Sequence, residues 1–101
     1  MKQKNDEQKA FKYLKAFAKQ FPGSNIELRI PEVGAIQLGS GSKHKRGIPP
    51  NVVEINKDIF IQLIEKETSW DKQMQLGNIE ASGINSNIKN LFEKFNFKPK
   101  S

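Results

Sequence analysis

The stretch His44–Ile55, HKRGIPPNVVEI, decides how the rest of the chain is read. The basic turn Lys43-His44-Lys45-Arg46-Gly47 runs into Pro49 and Pro50, which remove two amide donors and hold the backbone extended, so no helix passes through. Val52, Val53 and Ile55 then make a short β-branched run, the pattern of a strand. Immediately afterwards Asn56 offers a side-chain cap and Asp58 an acidic first turn, so a helix begins there. Loop, strand and helix meet in this one segment, and a site built from this chain is expected near it.

Upstream, residues 5–20 carry Ala10, Phe11, Leu14, Phe17 and Ala18 on one helical stripe and Lys12, Lys15 and Lys19 on another, a basic amphipathic helix. Phe21-Pro22-Gly23-Ser24-Asn25 ends it. Ile26-Glu27-Leu28-Arg29-Ile30 alternates strictly and reads as a half-buried strand. A short connection, Pro31–Gly34, leads to a second strand, Ala35–Leu38, paired antiparallel with the first. The loop Gly39-Ser40-Gly41-Ser42 precedes the basic turn and the third strand, Val52–Ile55. Three strands in succession suggest an antiparallel meander.

Downstream, Asp58–Glu67 reads as a helix whose Ile59, Phe60, Ile61, Leu63 and Ile64 cover more than half its circumference, so it should lie deep against the sheet. Thr68 and Asp71 have the spacing of a capping box for a short helix, Trp70–Leu76, stopped by Gly77. Ile79–Ser82 is a fourth strand, broken by Gly83. Asn87 or Ser86 caps a last helix that buries Ile88, Leu91, Phe92 and Phe95 at i, i+3, i+4, i+7 spacing. The expected architecture is α+β: one domain over residues 1–101, ordered from about 5 to 97 with a fraying tail, in which a mixed sheet of about four to five strands is covered by helices.

The 101 residues suffice for one core, and seven Phe in periodic segments argue for a packed domain despite a hydrophobic content of only 36%. The formal charge is +6, placed mainly at the ends. Residues 1–20 contribute +4, residues 98–101 contribute +2, and residues 21–97 hold nine basic and nine acidic groups. A neutral body without aromatic–basic interleaving disfavours nucleic-acid binding. With no cysteine, the chain has neither disulfides nor thiolate chemistry, and its single histidine cannot by itself make a zinc site, so no metal is expected. The absence of cysteine fits a reducing cytoplasm, and with no apolar leader-like segment at the N-terminus and no apolar run of membrane length the expectation is a soluble, cytoplasmic protein. Gly39-Ser40-Gly41 lacks the third glycine and the following helix of a dinucleotide loop, so no cofactor is expected, and no nucleophile–base pair suggests catalysis.

Two candidate sites remain. His44, Lys45 and Arg46 can bind an anion or an acidic protein partner, because a guanidinium offers a planar fork; a solvated turn is the bland alternative. Glu54, if turned inward, would need Arg46 or Arg29 as a partner. Phe60, Leu63, Ile64, Trp70, Met74, Leu91 and Phe92 form a large apolar set that serves equally as filled core or as the wall of a ligand cavity. The lysine face of the first helix suits a solvated surface or transient contact with an anionic membrane.

The segments Ile30-Pro-Glu-Val-Gly-Ala-Ile-Gln37, His44-Lys-Arg-Gly-Ile-Pro-Pro-Asn-Val-Val-Glu54, Trp70-Asp71 and Gly77-Asn-Ile-Glu-Ala-Ser-Gly83 together resemble the bacterial sterol carrier protein-like family. The resemblance covers most of residues 11–95. It implies a sterol-carrier fold, with an apolar tunnel between sheet and helices that takes fatty-acyl or other apolar small molecules. The expected function is a non-catalytic apolar-ligand carrier; the alternative is an interaction or accessory domain with a filled core and a basic anion-binding turn.

Overall fold

The computed structural model describes residues 2–39 and 50–96, and side chains from residue 6 onward. The eight elements follow in the order α1 (Lys2–Gln20), β1 (Ile26–Ile30), β2 (Gly34–Leu38), β3 (Asn51–Ile55), α2 (Lys57–Ile64), α3 (Trp70–Gln75), β4 (Ile79–Ser82) and α4 (Lys89–Lys94). His44, Lys45 and Arg46 lie outside the described residues.

The strands form one four-stranded sheet in the order β2-β1-β3-β4. β1 pairs antiparallel with β2, with Ile26 opposite Leu38, and β4 pairs antiparallel with β3, with Ile79 opposite Ile55. The meander stops there: β3 runs parallel to β1, Leu28 beside Val53, and does not pair with β2. Residues 39–50 separate β2 from β3, a crossover-length connection where a hairpin would need only a few residues. The β1–β2 hairpin turns on Pro31-Glu32, with Val33 N–H donating to Ile30 C=O at 2.9 Å and Glu32 at φ +71°, a left-handed position following a proline as in a type II turn.

Alternation decides which sheet face is buried. Ile26, Leu28 and Ile30 on β1, Leu38 on β2, Val53 and Ile55 on β3 and Ile79 on β4 all point to the covered face. On that side lie Ala10, Leu14 and Phe17 of α1, Phe60, Leu63 and Ile64 of α2, Trp70 of α3, and Phe92 and Phe95 at α4. The opposite face carries Glu27, Arg29, Val52, Glu54, Glu80 and Ser82. Glu54 therefore points away from the core, beside Arg29 in the parallel register, while Arg29 Nε pairs with Glu27 Oε2 at 2.6 Å.

Local chemistry sets the helix ends. Asn56 caps α2 as expected, its Oδ1 accepting from Ile59 N–H at 2.9 Å. α2 ends at Ile64 instead of continuing to Glu67, because Lys66 enters the left-handed region at φ +64°. Lys66 N–H then bonds Leu63 C=O at 3.2 Å and Glu67 N–H bonds Gln62 C=O at 2.8 Å, the two closures of a Schellman stop. The cap of α3 is Ser69, whose Oγ accepts from Lys72 N–H at 3.1 Å, and not Thr68. α4 starts one residue after Ile88 without a side-chain cap bond there; Asn87 Oδ1 accepts from Lys89 N–H at 3.1 Å.

α1 is tied to the end of α2 by a polar clip. Tyr13 OH donates to Glu65 Oε2 at 2.7 Å, and Lys9 Nζ reaches the same oxygen at 3.0 Å. Partial burial, then the bond to Glu65, pushes the phenol from its ordinary value near 10 up to about 12. The bonds from Tyr13 and Lys9 lower the Glu65 carboxyl. The clip's stability should therefore be lost in two windows. It fades as pH falls through the lowered carboxylate value, and again as pH rises from 10 to about 12, where the unfolded chain releases the phenolic proton before the folded one does. Tyr13→Phe should cost about 1.5 kcal/mol at pH 7, typical of a bond to a charged group, and flatten the alkaline limb. Urea unfolding at pH 7 and pH 11 tests this; an unchanged alkaline limb in the variant would show that Tyr13 does not carry it.

Candidate functional site

The core side chains of the three short helical segments converge at one corner, where the end of α2, the start of α3 and α4 meet. Phe92 is the centre of that corner. Its ring lies 6.0 Å from the Trp70 indole, 6.1 Å from Phe60 and 4.8 Å from Phe17, centroid to centroid. These spacings are those of packed aromatic pairs. Outside Phe92 the packing leaves a cavity of about 110 Å³ lined by Leu63, Trp70 and Phe92 at its base and by Lys66, Thr68, Ser69, Lys89 and Glu93 around its mouth.

The apolar set read from sequence is largely brought together. Phe60, Leu63, Ile64, Trp70 and Phe92 are buried, and Leu91 packs half-buried against the same core. Met74 is a correction: it is 41% exposed and lines a basin on the outer sheet face with Arg29, Val52 and Glu54. The reason is rotational. The buried side of α3 is set by Trp70 and Gln73, three residues apart, so Met74 is turned past it. Gln73 accepts the inner position because both ends of its amide are satisfied, Nε2 donating to Thr68 Oγ1 at 2.8 Å and Oε1 accepting from Asn78 Nδ2 at 2.7 Å.

The cations at the mouth were not singled out in the sequence. Lys66 Nζ donates to the backbone C=O of Phe92, one of the four carbonyls at the end of α4 that lack a partner within the helix. Lys89 Nζ meets Asp71 Oδ2 at 2.8 Å, and that bond raises the Lys89 amine above its ordinary value. Each lysine thus joins α4 to a neighbouring segment. Among the mouth's hydroxyls, Ser69 Oγ accepts from Lys72 N–H and caps α3, and Thr68 Oγ1 accepts from Gln73 Nε2. Among the described residues no three His, Cys, Asp or Glu cluster as metal ligands, and no helix is long and apolar enough to cross a membrane.

Helices layered on one face of a mixed four-stranded sheet, with an aromatic corner between sheet and helices, define the sterol-carrier class of α+β domain. The chain belongs to the bacterial SCP ortholog family, which it matches over residues 3–93. Among solved structures it is similar to sterol carrier protein 2 like 2 from Aedes aegypti, at 16% identity and TM-score 0.52, covering 91% of this chain and 94% of that one. It is also similar to the apo form of sterol carrier protein 2 from Yarrowia lipolytica, at 18% identity and TM-score 0.43, covering 88% of this chain and 80% of that one. No curated protein matches it.

Proposed function

We propose that the domain binds an apolar ligand, without catalysing a reaction on it, by taking a hydrocarbon chain into the corner formed by Leu63, Trp70 and Phe92. The observation that carries this reading is the cavity itself: an apolar base opening through a polar mouth, in a chain of the SCP family. Its volume of about 110 Å³ is below the roughly 300–1,000 Å³ of a drug-sized ligand site. A long chain must therefore move Phe92 and the short helix that bears it. α4 is suited to that, since six residues do not make a stable helix on their own.

Each buried CH₂ contributes up to about 0.8 kcal/mol, so affinity should rise by up to roughly fourfold per added carbon until the corner is full. Displacement of a fluorescent apolar probe by fatty acids of eight to sixteen carbons measures this. A flat series would count against a chain-binding cavity. The close ring packing around Phe17 and Phe92 favours the second reading, an interaction domain with a filled core. A flat series together with thermal stability unchanged by fatty acid would leave that reading in front.

A further inference from the structure

The two lysines at the mouth each bridge α4 to a neighbouring segment, and they are the cations that line the cavity. We propose that they are an anion-operated latch: an amphiphile with an oxyanion head, carboxylate or phosphate, draws Lys66 from the Phe92 carbonyl and Lys89 from Asp71, and the freed α4 swings Phe92 aside to admit the chain. This rests on the reading of the corner as a chain-binding site and adds to it the class of head group and the means of opening.

The backbone of Lys66 is the first support. At φ +64° it occupies a left-handed stop where glycine is strain-free and a side chain with Cβ is not. A lysine kept in that position, with its amine on the neighbouring helix, is a strained residue at the rim of a cavity, the kind of outlier that points to function. The second support is that both latches open at small cost. Lys89 and Asp71 are well exposed, with side-chain exposures of 39% and 70%, and such ion pairs contribute little. The Phe92 carbonyl is a helix-end acceptor that water satisfies once Lys66 leaves. The third is geometry, since Lys66, Lys89 and Phe92 line one cavity with Leu63 and Trp70, so head and chain subsites are contiguous. Glu93 also lines the mouth and opposes an anion, and Asp71 sits on Lys89, so the two lysines face two carboxylates and an arriving anion gains only by displacing Asp71 and the Phe92 carbonyl.

Laurate, dodecyl phosphate and dodecanol share one chain length and separate the head groups. Wild-type protein should bind at least one of the two anions about tenfold more tightly than dodecanol, the value of one charge-assisted bond. Which anion is preferred identifies the source chemistry. Lys66→Gly keeps the left-handed stop, so its thermal midpoint should hold or rise, while its preference for the anion falls about tenfold and its affinity for dodecanol holds or increases. Lys89→Gln should reduce the preference in the same direction. Trp70, the only tryptophan of the chain, lies against Phe92 and should change its emission when the chain enters. Equal binding of all three compounds, an anion preference untouched in Lys66→Gly, or binding without a change at Trp70 would overturn the latch and leave apolar binding standing. Failure of all three compounds to bind would remove both.

Discussion

Phe17→Ala is expected to cost about 4–5 kcal/mol, the upper end for truncating a buried aromatic residue. Phe17 is fully buried, and its ring has four aromatic neighbours: Phe92 at 4.8 Å, Phe21 at 5.1 Å, Phe95 at 5.2 Å and Phe60 at 6.3 Å. From α1 it touches rings of both α2 and α4. Removing it leaves a cavity bounded by Phe60 of α2, by Phe92 and Phe95 at α4 and by Phe21 just after α1; the α2 side cannot close in, so much of the penalty persists. A domain of this size has about 5–15 kcal/mol in total, so the variant should sit near the edge of folding. Urea unfolding measures this as a lower midpoint with little change in slope. A loss below about 2 kcal/mol would mean that α1 does not share the core. The new space adjoins Phe92, and if the corner takes hydrocarbon chains, laurate should stabilise this variant more than the wild type.

How much of this was legible in the sequence depended on the range of the interaction involved. The alternation of Ile26, Leu28 and Ile30 reports its own buried face, and β1 is buried in that pattern. Asn56 sits three residues before the amide it caps, so its role is visible locally. The order of the eight elements and the mixed α+β architecture followed from such signals. Pairing partners did not. Periodicity tells which side of β3 is apolar, but the same pattern suits β2 or β1 as neighbour, and the parallel pairing with β1 is a long-range choice that the strand's own residues do not encode. At the corner, hydrophobicity identified Phe60, Leu63, Trp70 and Phe92, whereas Met74 and Gln73 exchanged places because a glutamine with two side-chain partners outcompeted a thioether for the inner position. Lys66 could not be read at all. Its left-handed backbone and its bond to a carbonyl 26 residues away are tertiary facts, and in sequence it is one lysine among acidic neighbours.

Asn51 was hidden for the same reason, and it governs the second large effect, Gly83→Ala. Asn51 is only 1% exposed. Its Nδ2 donates to Asn25 C=O at 3.0 Å and its Oδ1 accepts from Asn85 N–H at 2.8 Å, so one side chain joins the starts of β1 and β3 to the turn after β4. Gly83 lies against it at φ +109°, where a Cβ would come within 2.3 Å of Asn51 Oδ1, 2.6 Å of Pro50 O and 2.8 Å of Asn51 Cα. Alanine there adds backbone strain of about 1–3 kcal/mol and displaces buried hydrogen bonds that cost about 1–3 kcal/mol each to orphan, so a loss above about 3 kcal/mol is expected. Gly77→Ala is the control, with positive φ but nothing within 4 Å of its Cβ; it should cost only the strain, about 1 kcal/mol. Asn51→Ala removes the Oδ1 overlap but not the two backbone contacts, so the double variant should fall short of the sum of the singles by about 1 kcal/mol. Simple additivity in a denaturant cycle would show that the turn gives way before Asn51 does, and that the side chain does not hold it.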